Sequence, residues 1–320
     1  MNTLIRPLTP ARTLAIASVL AVFPVMLSAQ WPSYPTGTPK NAAGQPALDA
    51  PTPRAADGHP DLSGLWAAGG GRGGGGRGGA AGRGGRGGAP GAAPGGAPGG
   101  APANAQATPP PPPPPPAAAE AAPTGPPNAT FFNVAAGFKE GAPLLPWAAD
   151  LLKSRASENS KDNPDAHCLP LGLMQLHLHP QPRKIIQTPG VIVILYEAQG
   201  GVRQIFTDGR PSPPADVQPW WYGYSTGKWD GDTLVVTTTG FRDDVWLDVN
   251  GTPLTNTGKM TERFRRTNYG SLEIEITIED PKVYTKAFTV KVNQRIMPDT
   301  DLIEFICNEN EKSDAHLVGK

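Results

Sequence analysis

Neither sign of charge dominates the sequence: 28 Lys and Arg stand against 28 Asp and Glu in 320 residues. That balance removes the electrostatic pull expected of a nucleic-acid or anionic-membrane binder. Long apolar runs are also scarce. Only Leu14 to Leu27 approaches one, and at 14 residues interrupted by Pro24 it is too short and broken for a bilayer span. A multi-pass membrane protein is therefore excluded. Cysteine is limited to Cys168 and Cys307, and aromatic residues to 7% of the chain. The excess lies in glycine and proline, 39 of each. Without a triplet period, that excess excludes a collagen-like rod and signals low complexity. It is concentrated, since residues 67–128 hold 20 of the glycines and 15 of the prolines. A single globular domain of the whole chain is excluded as well.

Arg6 and Arg12 precede the apolar run, which closes on Leu27-Ser28-Ala29 before the polar Gln30. A basic start, a short apolar stretch and small residues make a secretory signal peptide of residues 1–29. No cysteine follows the run, which argues against a lipid anchor. No transmembrane span is expected after signal cleavage, and the mature chain is placed in the periplasm or outside the cell. In such an oxidising compartment an even pair of cysteines bridges, so Cys168 and Cys307 are expected to form a disulfide. It would tie the start of the domain to its last strand.

Residues 30–56 read as an extended N-terminal segment and 57–66 as the first element of a β domain. Residues 67–142 read as a disordered insertion. Arg72, Arg77, Arg83 and Arg86 lie among glycines there, ahead of Ala-Pro-Gly repeats and the prolines Pro109 to Pro116. With so little to bury, this tract cannot offset an ordering cost of about 1–2 kcal/mol per residue. Flexible coil followed by a polyproline II rod is expected. Arg-Gly-Gly repeats also occur in RNA binders. Here they lack interleaved aromatics and follow an export signal, so a solvated spacer or a cell-envelope contact is favoured.

Beyond Pro143 the pattern becomes short β-type runs split by turns. Leu272, Ile274, Ile276 and Ile278 alternate with Glu273, Glu275, Thr277 and Glu279, the period of a half-buried strand. Val191 to Tyr196, Arg203 to Asp208, Tyr222 to Trp229, Thr233 to Thr239, Lys259 to Thr267, Lys286 to Ile296 and Leu302 to Cys307 are further strand candidates. Asp230-Gly231 marks a tight hairpin. Short connections imply antiparallel neighbours, and the fold expected for residues 143–320 is all-β. An antiparallel up-and-down barrel or strongly curled sheet, lipocalin-like in architecture, fits best. One short helix is expected around Trp147 to Ser157.

Several strings resemble a widespread family of uncharacterised secreted bacterial all-β proteins. They are Asp57-Gly58-His59-Pro60-Asp61-Leu62-Ser63-Gly64-Leu65-Trp66, Lys184-Ile185-Ile186-Gln187-Thr188-Pro189-Gly190, Arg203 to Arg210, Gly227 to Val236 and Thr261 to Arg266. The resemblance implies that Pro60 to Trp66 shares a fold with residues 143–320, which makes the Gly/Pro tract an insertion. It brings no activity with it. Family members often carry Gly-His-Pro-His where this chain has Gly251-Thr252-Pro253-Leu254.

His177 and His179 stand at i and i+2. On a strand they would share a face and present two zinc ligands, with Asp208 or Glu197 as the third; the plainer reading is a wet strand face before Pro180. Arg203 and Arg210 offer planar donors to a carboxylate or phosphate, or else pair with Glu197 or Glu262. Trp220, Trp221, Tyr222, Tyr224 and Trp229 form the densest aromatic group, suited to stacking on a sugar or to plugging one barrel end. Asp230 and Asp232, and Asp243, Asp244 and Asp248, suggest calcium only loosely. Gly223-Tyr224-Ser225-Thr226-Gly227 matches a nucleophile elbow in letters, but its flanks read as strands. The expected function is an exported barrel binding a small molecule or saccharide in its mouth, through Trp220, Trp221, Tyr222, Arg203, Arg210 and His177. The alternatives are a hydrolase or lyase using His177, His179, Glu197 and Asp208, and an envelope-associated structural protein.

Overall fold

The computed structural model describes residues 37–69, 125–214, 216–298, 300–307 and 309. The expected signal peptide, the tract of residues 70–124 and the last residues of the chain lie outside them. Eleven strands follow the chain: β1 (Gly64–Ala68), β2 (Arg183–Thr188), β3 (Val191–Tyr196), β4 (Val202–Phe206), β5 (Tyr224–Asp230), β6 (Thr233–Thr239), β7 (Val245–Trp246), β8 (Pro253–Leu254), β9 (Lys259–Asn268), β10 (Ser271–Glu279) and β11 (Phe288–Ile296). Among the described residues the two α-helices are α1 (Pro146–Ser157) and α2 (Leu173–Leu178). Nine strands close a barrel in the order β1-β11-β10-β9-β6-β5-β4-β3-β2, with β2 returning to β1, while β7 and β8 form a separate hairpin.

The alternation read in β10 sets the barrel wall. Leu272, Ile274, Ile276 and Ile278 are buried inside, and Glu273, Glu275, Thr277 and Glu279 face outward. The neighbouring strands do the same, with Val290 and Val292 inward on β11 and Met260 and Phe264 on β9. β5 and β6 meet at Asp230 and Thr233 in the hairpin expected from Asp230-Gly231, where Gly231 takes φ +58°.

Three expectations are corrected. β4 and β5 pair parallel, Ile205 with Ser225, because residues 207–223 between them are long enough for a crossover. Leu302 to Cys307 forms no strand: β1 and β2 already close the ring, so no edge is left for it, and the segment lies against the β3–β4 corner as a strap. Met174 to His179 is not a strand either, since Leu173–Leu178 is helical with all six residues buried. In so short and fully buried a helix no wet face exists to reveal the 3.6-residue period.

The insertion is also narrower than residues 67–142. Ala67 and Ala68 pair with Arg295 and Gln294 in β11, and Gly69 N–H donates to the Asn293 carbonyl. On the far side, Lys291 N–H donates to Pro127 and Ala129 N–H donates to Lys291. Both ends of the tract therefore sit on β11. Val134 and Ala135 are buried in the domain. The N-terminal segment joins it too: His59 stacks on Trp229 at 4.6 Å, and Tyr269 N–H donates to Ala50.

The expected disulfide is present. Cys168 and Cys307 are bridged, with Cα atoms 5.7 Å apart, and the bridge fastens the strap rather than a barrel strand. Among the described residues no helix is long and apolar enough to cross a membrane.

Candidate functional site

A polar cluster occupies the barrel interior. Inward positions on β4, β5, β6 and β9 carry Arg203, Ser225, Thr238 and Glu262, all at most 1% exposed. Arg203 grips both oxygens of Glu262, with Nη1 3.0 Å from Oε1 and Nη2 on Oε2. Its Nε donates to Ser225 Oγ at 3.1 Å and its Nη2 to Thr238 Oγ1 at 3.0 Å. From α2, His177 Nε2 lies 2.7 Å from Glu262 Oε1. Burial lowers the His177 pKa from its ordinary value, outweighing the pull of Glu262. The imidazole is therefore neutral, with its proton on Nε2 donated to the carboxylate. Burial pushes Glu262 up, but the charge of Arg203 and the His177 bond prevail and hold it down to about 2.

Arg183, also buried, caps the C-terminus of α2. Its Nη1 donates to the His177 carbonyl at 2.6 Å, and its Nη2 to His179 and Gln181 at 2.8 and 3.1 Å. A cation on the last carbonyls of a helix is favourable, and although burial lowers Arg183 to about 10 it keeps its charge.

These positions correct several sequence expectations. His177 and Arg203 are both bonded to Glu262 in the barrel interior, each 1% exposed. His179 accepts from Gln181 N–H through Nδ1 and meets Phe131 edge-on. Asp208 sits at the exposed end of β4 and holds Arg210 at 2.6 to 3.0 Å, while Glu197 accepts from Ile303 N–H at 3.2 Å. The four groups of the hydrolase reading do not converge. Among the described residues no three His, Cys, Asp or Glu side chains gather as a metal group. Of the pairings foreseen for the arginines, Arg203 with Glu262 is present; Arg210 turns to its own neighbour Asp208 instead. The loosely calcium-like aspartates are dispersed. Asp230 and Asp232 pair with Arg263 and Arg54, Asp244 pairs with Arg242, and Asp243 accepts from Asn256 N–H. Asp248 is buried and accepts from Val134, Gly251 and Thr252. Ser225 lies within β5, buried, and is no elbow nucleophile.

The aromatic group divides. Tyr222 turns toward Gly201, and burial raises its hydroxyl to about 12. Trp221 lies half-buried under the Arg242 guanidinium, 4.5 Å from its ring centre. Trp220 remains 38% exposed. Its ring rests over Gly240, where any side chain would start 3.1 Å from the indole, and touches Tyr224 at 5.4 Å. Tyr224 stacks on Phe206 at 5.1 Å, and the Arg210 guanidinium lies over the Phe206 ring at 3.9 Å.

Trp220 lines a cleft of about 530 Å³ on the outside of the barrel, with Pro213, Pro214 and Pro219 on one side and Thr239, Asn256 and Thr257 on the other. Asn256 Oδ1 accepts from Lys282, which leaves its amide NH2 as a donor, and Thr239 adds a hydroxyl. Sequence reading found Trp220 but not Thr239, Gly240, Asn256 or Thr257. They come from two distant stretches of chain and carry no local signal. No family model, curated protein or solved structure matches the chain.

Proposed function

We propose that this is an exported binding protein whose ligand is a saccharide, held in the Trp220 cleft on the outer wall rather than in the barrel mouth. The half-exposed indole carries this reading: it sits in a cleft of about 530 Å³ beside an amide and hydroxyls. An apolar ring face takes the C–H face of a sugar, and the flanking donors and acceptors take its hydroxyls. The disulfide is what an oxidising compartment allows. The interior reading loses its support because α2 and the Arg203–Glu262 pair fill that space.

Isothermal titration against a neutral set (cellohexaose, maltohexaose, chitohexaose and xylohexaose) tests it. At least one should bind, and Trp220→Ala should weaken it about tenfold, the measure of about 1.4 kcal/mol. Silence from every sugar, or binding indifferent to Trp220→Ala, would overturn the reading.

A further inference from the structure

Away from Trp220, a second groove of about 360 Å³ lies between the β3–β4 corner and the strap of residues 300–307. One wall is Leu195 and Val202 of the barrel; the other is Ile303, Phe305 and Ile306 of the strap. The apolar groups of both walls are left open. Val202, on β4, is 55% exposed, and Ile303, Ile306 and Phe305 are 54, 58 and 38% exposed in a strap that forms no strand. An apolar cluster left uncovered at a concave site marks a binding surface rather than scattered surface hydrophobics.

The charges in the groove are of one sign. Glu197 and Glu304 line it, with no Lys or Arg among the lining residues. Glu197 is only 8% exposed. One of its oxygens, Oε2, accepts from Ile303 N–H, and Oε1, with no protein donor among the described residues, is open to solvent. A largely buried carboxylate with an idle oxygen at the end of an apolar trough calls for a cation carried on an aliphatic stem.

We propose that this groove binds an aliphatic primary ammonium, its chain along Val202, Ile303 and Phe305 and its head on Glu197. The strap is the half of the site that no strand ladder holds. It is held by the Cys168–Cys307 bridge at one end, by Lys184 on Asp301 at 2.9 Å at the other, and by the Ile303–Glu197 bond between them. The site is independent of the Trp220 cleft and of the saccharide reading.

Titration of the full chain with hexylammonium, hexanol and hexanoate tests the assignment. Hexylammonium should bind at least tenfold more tightly than hexanol, the factor expected of a charge-assisted bond, with hexanoate weakest. Glu197→Gln keeps an acceptor for Ile303 N–H and should bring the ammonium to the level of the alcohol. Val202→Lys, at an exposed position, should fill the trough with its own ammonium and abolish binding. Replacing both cysteines by serine should weaken all three ligands by loosening the strap wall. Equal affinity for the three ligands, unchanged preference in Glu197→Gln, or full binding by Val202→Lys would each overturn the proposal.

Discussion

Arg203 and Glu262 face each other across the inside of the barrel, fork to fork, with both carboxylate oxygens held by one guanidinium. They lie 59 residues apart in sequence and join β4 to β9, strands that are not neighbours in the ring. The pair thus ties two walls through the core. Arg203→Leu alone strands a buried carboxylate and should cost about 3–5 kcal/mol. Arg203→Leu with Glu262→Leu should regain most of that, because two apolar side chains replace the pair. Urea midpoints of the two variants check this. A double variant no more stable than the single one would show that the pair itself is indispensable.

Acid should weaken the fold in two stages. Burial holds the His177 pKa below its ordinary 6.5, so the unfolded chain takes that proton first. Stability from neutral His177 is complete above pH 6.5 and falls as pH drops through the lower folded value. Glu262 is held near 2 against an ordinary 4.5, so its contribution is complete above 4.5 and drains between 4.5 and 2. Denaturant midpoints from pH 7 to 3 should decline in both windows. His177→Gln should flatten the first and leave the second.

How much of this was legible differs by element. β10 announced itself because one wet and one dry face force strict alternation, and the β5–β6 hairpin because Gly231 needs positive φ. β2 and the parallel β4–β5 pair did not, since pairing partners are set by ring closure. Met174 to His179 alternates in letters as a strand would, yet burial on every side makes it a helix. Arg203 and Glu262 could be paired on charge alone, but that His177 would join them inside the wall could not. Trp220 was visible as an aromatic; its cleft is assembled from Thr239, Gly240, Asn256 and Thr257, and only the fold brings these together.

Gly172, immediately before α2, has no room for a side chain. A Cβ there would lie 2.0 Å from the Trp246 carbonyl oxygen, although its φ of −65° is ordinary. Gly172→Ala should therefore destabilise by steric overlap alone, about 1–3 kcal/mol, visible as a lowered melting temperature. An unchanged melting temperature would mean that the β7–β8 hairpin gives way freely.

The disulfide closes a sequence separation of 139 residues. Serine at Cys168 and Cys307 should lower stability by about 4–5 kcal/mol through the unfolded chain. In the folded state the loss should be confined to the strap. Hydrogen exchange should quicken over residues 300–307 and stay slow in β9, β10 and β11. Faster exchange throughout the barrel would contradict a bridge that fastens only the strap.

Deleting residues 70–124 and joining Gly69 to Gly125 by a short Gly-Ser linker should leave the melting temperature within a few degrees of the parent, because both flanks already rest on β11 and loop length weighs little. Deleting 67–128 instead removes the Ala67 and Ala68 ladder and should cost several degrees. Scanning calorimetry of the two deletions separates the cases.

The placement of that tract also decides which strand would carry a load applied to it. Gly69 and Ala129 both bond to β11, whereas the Trp220 cleft takes its strand residue, Thr239, from β6, three places away in the ring of nine. A pull on either flank is delivered to β11 and its neighbours, not to the strand beside the tryptophan.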